Sequence, residues 1–214
     1  MLDELVPLEP VHFFALQCDC YYLKKKQFEK KHLLPNLASF YEERSLAVVS
    51  IGWNEKGIAL LITINGRFNE PDFPNFLAAD SVELFFDTRD VKTTGYSTRF
   101  CHHFYFLPDP VQVDGNLVQA GEITRFRTDE VHELCDPDLL SIETSEDKRS
   151  RSMHIFIPSE CLYGYDSNQF DRLGFTYRIN RRNGARQFFS ASSADFQIEA
   201  QPSLWASLKL IKEK

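Results

Sequence analysis

Residues 80–90, DSVELFFDTRD, bring four carboxylates into one short stretch: Asp80, Glu83, Asp87 and Asp90. Hard oxygen donors of this kind could hold a structural Ca2+, with Asp80, Asp87 and Asp90 as ligands and the loop acids Glu70 and Asp72 close by in sequence. Glu83 and Asp87, four apart, would share one strand face, and such a pair could perform the acid and base steps of glycoside hydrolysis. Carboxylates on an outer strand face are more often solvated or paired with Arg, so catalysis is not expected of them. His102 and His103 are neighbours and point to opposite strand faces, so only one of them could join Glu83 or Asp87 in a metal site. Hydrogen bonding within the fold is their expected role. His132-Glu133-Leu134-Cys135-Asp136 begins like a zinc-protease motif but has Asp at the place of the second ligand, and no metal is expected there. The nucleophile elbow, the phosphate loop and the dinucleotide fingerprint are all absent, so nothing points to an enzyme.

These side chains need strands to position them. Val82, Leu84 and Phe86 alternate with Ser81, Glu83, Phe85 and Asp87, the period of a half-buried strand with a polar working face. Further strands are predicted at 46–53, 58–65, 101–107, 123–128, 140–144, 154–158, 174–180, 187–191 and 204–211, and Asp114-Gly115 signals a hairpin between Val111 and Val118. No strand alternates with a long helix, so the pattern predicts an all-β, antiparallel sandwich of jelly-roll type. Residues 1–44 read as an irregular N-terminal extension, with a strand candidate at 11–16 and a loop carrying one short helix after it. No Gly/Ser/Pro linker divides the chain, so one domain over 1–214 is expected, its body at 45–212.

A net charge of −7 argues against nucleic-acid binding, which needs a positive field. Lys24, Lys25, Lys26, Lys30 and Lys31 form a local basic run that reads as a solvated face. No segment is apolar for long enough to span a bilayer. The N-terminus, MLDELVPLEPVHFF, carries acids where a secretory signal needs positive charge, and the five cysteines are odd in number and scattered. Reduced thiols and a cytoplasmic location follow as expectations, with Cys18 and Cys20 read as facing opposite sides of a strand and unable to bridge. Trp53 and Trp205 sit among strand-forming apolar residues and are expected in the core. With 19 Phe, the chain has enough rings for a core and some to spare for a surface.

DSVELFFD resembles the central strand motif of the family 9 carbohydrate-binding modules, a DOMON-like type of sandwich. WNEKGIALLITING from Trp53, MHIFIPSECL from Met153, GFTYRINRRNG from Gly174 and QPSLWASLKL from Gln201 are similar to further segments of that family in the same order. The resemblance covers roughly residues 46–212. It implies a non-catalytic domain that binds carbohydrate and often carries calcium. It also implies two clamping tryptophans, whose places are taken here by Leu77 and Glu199, with Phe76 and Phe196 close by in sequence. Of the family's binding residues only Glu83 is retained; the Arg and Asn of its next strand fall on Tyr105 and Leu107. Related sandwiches ligate haem through Met and His, but Met153 is the only internal methionine here and carries little weight.

Two functions follow as expectations. One is intracellular glycan binding at Glu83, Phe76, Phe85, His103, Tyr105, Arg178 and Asn180, the residues that would share the face opposite the core. The other is a protein-interaction or scaffold domain that has lost sugar binding. In the first, Glu83→Ala is expected to weaken binding and leave the fold intact.

Overall fold

A computed structural model of the chain describes residues 16–24, 27–38, 45–127, 129–147, 150–191 and 196–212. In chain order the strands are β1 (Gln17–Tyr22), β2 (Ala47–Asn54), β3 (Gly57–Asn65), β4 (Ser81–Asp87), β5 (Cys101–Val113), β6 (Asn116–Glu122), β7 (Ser141–Glu146), β8 (Ser150–Pro158), β9 (Arg172–Asn180), β10 (Arg186–Phe188) and β11 (Ala206–Ile211). They form one sheet in the order β6-β5-β4-β9-β11-β1-β2-β3-β8-β7, with β10 paired to β9. The sheet curls on itself, so its two halves share a core. Val82, Leu84 and Phe86 of β4 and Phe175, Tyr177 and Ile179 of β9 pack in one cluster with Ile58, Leu60 and Ile62 of β3 and Met153, Ile155 and Ile157 of β8. A slip of one residue in β4 would drive all three of its apolar side chains out of that cluster.

The sandwich is as expected, but it is mixed and not purely antiparallel. β1 runs parallel to both of its neighbours, β11 and β2. Residues 23–46 separate β1 from β2 along the chain, a length that suffices for the crossover a parallel pair needs and a tight hairpin cannot provide. Trp53 Nε1 donates to the Cys20 carbonyl at 2.9 Å, fastening β1 to β2. The Asp114-Gly115 hairpin is present, both residues having positive φ (49° and 86°).

Of the strand candidate at 11–16, residues 11–15 lie outside the described residues; the first described strand is Gln17–Tyr22. Other expectations fall. Among the described residues before β2, the expected short helix is a 3-10 turn, Lys30–His32. Residues 123–127 form no strand, because the ladder ends at Glu122 and the Thr124 hydroxyl replaces it, accepting the His103 N–H at 2.8 Å. Cys135 and Cys161 are joined in a disulfide, so the five cysteines are not all free thiols. Spacing along the chain says nothing about which loops meet. Cys18 and Cys20 share a face, as residues two apart in a strand must, and both pack on the main core.

β4 is buried on both faces, not half-buried. After β10 the chain folds back over the outer face, where Phe188, Ala191, Ile198, Leu204 and Trp205 enclose Phe85 and Cys101. Phe76, Tyr105 and Leu107 form a smaller cluster beside it. Both tryptophans are buried as expected, Trp53 in the main core and Trp205 in this cover.

Candidate functional site

Strand register assembles the outer face. Glu83 lies opposite Tyr105 of β5 and Arg178 of β9, Phe85 opposite His103 and Thr176, and Ser81 opposite Asn180. Glu83 Oε1 accepts from Arg178 Nη2 at 2.8 Å and lies 2.9 Å from His103 Nε2. Its Oε2 accepts from Arg178 Nε at 2.5 Å and from Asn180 Nδ2 at 2.8 Å. A carboxylate offers about four lone-pair positions, and all of these are engaged. Phe85 stacks on His103 at 4.1 Å and fixes the imidazole plane.

Burial opposes the ionisation of Glu83, but the hydrogen bonds from His103 and Arg178 and the Arg178 charge outweigh it and hold the carboxyl at about 2. Burial likewise disfavours the Arg178 cation, yet Glu83 pushes its pKa up. A carboxyl held below its ordinary value of 4.5 contributes stability that is fully present above that value and is lost as pH falls toward 2. Thermal melts are therefore expected to show a Tm that declines as pH drops from about 5 to about 2, and declines less in Glu83→Gln. A profile unchanged by Glu83→Gln would contradict the ionised network.

The residues predicted for the site separate into two groups. Glu83, Arg178 and Asn180 are buried, and His103, with 13% of its side chain exposed, is more open than these three. Phe85 is fully enclosed. Tyr105 and Phe76, also buried, stack on each other at 5.0 Å with a 13° interplanar angle, and the half-buried Phe73 lies 5.4 Å from Tyr105. Gly121 makes room for this group, since a Cβ there would come within 2.9 Å of the Tyr105 ring. Tyr105 and Phe73 line an open groove of about 750 Å³ together with Asn116, Gln119, Asp136 and Asp138. Phe73, Gly121 and the groove were missed from sequence, because no local spacing connects the β4-preceding loop to β6.

At the two clamp positions, Leu77 is exposed, and Glu199 Oε2 lies 3.7 Å from Arg178 Nη1, extending the ion-pair network. Phe196 packs against the cover beneath. The carboxylates read as calcium ligands do not fit one ion. Asp80, at one end of β4, accepts from the backbone N–H groups of Asn69 (2.6 Å) and Arg182 (2.7 Å). At the other end, Asp87 accepts from the N–H groups of Arg89 and Val91, and Asp90 pairs with Lys92 at 2.6 Å and accepts from the Ser207 hydroxyl. Met153 is buried in the main core, with no place for a haem beside it.

Neither a family model nor a curated protein matches the chain. Solved structures do. A family 9 carbohydrate-binding module from Caldicellulosiruptor kristjanssonii is similar in its complexes with cellotriose (TM-score 0.60) and with glucose (0.61), at 11% identity in each, over 92% of this chain and 95% and 97% of those chains. A putative carbohydrate-binding protein from Bacteroides uniformis is similar at TM-score 0.55 and 10% identity, over 92% of this chain and 99% of that one. With a curled all-β sheet of matching extent, this chain has the fold of the family 9 carbohydrate-binding modules.

Proposed function

We propose that the protein is a non-catalytic carbohydrate-binding domain whose ligand lies in the groove beside Tyr105 and Phe73. The observation that carries this reading is that the half-buried Phe73, packed on the largely buried Tyr105, lines an open groove with Asn116, Gln119, Asp136 and Asp138. Flat rings suit the apolar face of a pyranose, and amides and carboxylates suit its hydroxyls. Tyr105 stands at the ligand side. Glu83, Arg178, Asn180 and His103 form the buried network behind that face, since Glu83 has no free acceptor to offer a sugar. The fold supports the reading, and the similar module from Caldicellulosiruptor kristjanssonii is in complex with cellotriose and with glucose.

The state of the carboxylates supports a role without catalysis. Glu83 is held at about 2, too acidic to serve as a general acid near neutrality, and both Asp87 oxygens accept backbone N–H groups. No helix among the described residues is long and apolar enough to cross a membrane.

Binding to a glycan array is expected, followed by calorimetry on the glycans that bind. Phe73→Ala should weaken a bound glycan about ten-fold by removing one stacking face. If no glycan binds at millimolar concentration, or the affinity ignores Phe73→Ala, the groove is not a sugar site.

A second reading has its own observation. The groove runs between β6 and β7, the strands at the two ends of the sheet order among the described residues. Such edges can accept an extended peptide as an added strand. Capture of unstructured peptides, with no glycan bound, would favour a protein-interaction domain.

A further inference from the structure

On the face of β5 opposite Glu83, three buried side chains converge: His102 at the start of β5, Glu122 at the end of β6, and His132 in the loop that follows. Their candidate donor atoms all lie within 4.8 Å of one another. His102 Nδ1 and His132 Nε2 stand 2.9 and 2.8 Å from the same oxygen, Glu122 Oε1. The far nitrogen of each ring is turned to a backbone carbonyl: His132 Nδ1 lies 2.7 Å from Arg99 O, and His102 Nε2 lies 3.5 Å from Tyr163 O.

Donor and acceptor counting gives this arrangement its meaning. A neutral imidazole has a single N–H, and placing it on the carbonyl leaves the other nitrogen as a lone pair. For His132, whose two nitrogens face oxygen acceptors at 2.7 and 2.8 Å, a neutral ring so placed aims its lone pair at Glu122 Oε1, which repels it; His102, 3.5 Å from the Tyr163 carbonyl, can instead donate to Glu122, and the same Oε1 also accepts from the Thr124 hydroxyl at 2.6 Å. A cation between the three removes that conflict. Two imidazole nitrogens and a carboxylate oxygen are the donor set of zinc sites with three protein ligands, and an outer carbonyl on each ring N–H is the usual support of a metal-bound histidine.

We propose that His102, Glu122 and His132 bind one divalent transition-metal ion, Zn2+ by donor type, with water completing the coordination. Around a metal with tetrahedral bonds near 2.0–2.1 Å the ligand atoms stand about 3.3 Å apart, so each histidine would part from Glu122 by about half an ångström from the present 2.8–2.9 Å, and the two ring nitrogens, now within 4.8 Å of each other, would take the same spacing. The surroundings are already braced. The Cys135 N–H is held by Glu122 Oε2 at 2.8 Å, the Cys135–Cys161 disulfide ties that loop to the next, and the Tyr163 ring stacks on His132 at 5.8 Å. The ion would fasten the loop after β6 to the rim of the sandwich. The site is independent of the carbohydrate reading.

Untagged protein, loaded with ZnCl2 and passed through a desalting column, is expected to retain a stoichiometric equivalent of zinc by elemental analysis. His132→Ala and Glu122→Gln should each lower the zinc affinity at least about a hundred-fold. X-ray absorption at the zinc edge of the unmodified protein should show imidazole scattering together with oxygen ligands, a readout that does not depend on the variants folding. Failure of the wild-type protein to retain zinc, cobalt or nickel would overturn the proposal. So would full retention by both variants, or an absorption spectrum lacking imidazole, since the three residues would then be a hydrogen-bonded cluster only.

Discussion

Glu83→Ala is expected to destabilise the protein by roughly 3–5 kcal/mol, because it strands the buried Arg178 guanidinium without its partner. At 214 residues that corresponds to a fall in Tm of about 10 °C. This departs from the expectation that the substitution would leave the fold intact, which assumed a carboxylate facing solvent. Glu83 is fully buried and engages Arg178, His103 and Asn180 at once. Glu83→Gln keeps the shape but loses the charge, and should fall between wild type and Ala. Urea denaturation of the three proteins, with m-values compared, checks the ranking. A loss under about 1 kcal/mol for Glu83→Ala would mean that the pair is worth no more than a surface ion pair.

Trp205→Ala should have an effect of similar size for a different reason. The indole is 1% exposed, packs on Phe85 at 5.7 Å and donates to the Ile198 carbonyl at 2.7 Å. Removing it leaves a cavity and an unpaired carbonyl, about 3–5 kcal/mol for a buried Trp. The damage should be local before it is global, because Trp205 belongs to the cover and not to the main core. Hydrogen exchange is therefore expected to speed up first in residues 196–205 and at His103, while β3 and β8 remain protected. Uniform acceleration throughout the sandwich would argue that the cover and the main core are one cooperative unit. In the unmodified protein both indoles should resist iodide quenching, since Trp53 is equally buried.

The alternation of Val82, Leu84 and Phe86, the Asp114-Gly115 hairpin and most strand positions were legible in the sequence because period and turn chemistry are local properties. The chain's own residues also determined which side chains share the outer face of β4, β5 and β9, since register follows from which apolar set must be buried. What the sequence could not disclose is what lies on top of that face. Nothing local in QPSLW says that Trp205 will close over Phe85, or that Glu199 will reach Arg178. The same holds for the curl that runs β1 parallel to β2 and β11, for the Cys135–Cys161 bond, and for the meeting of His132 with His102 and Glu122. Each joins segments distant along the chain through the closing of the sheet, so only the tertiary structure decided whether a polar residue on an outer face is a free ligand group or a buried brace.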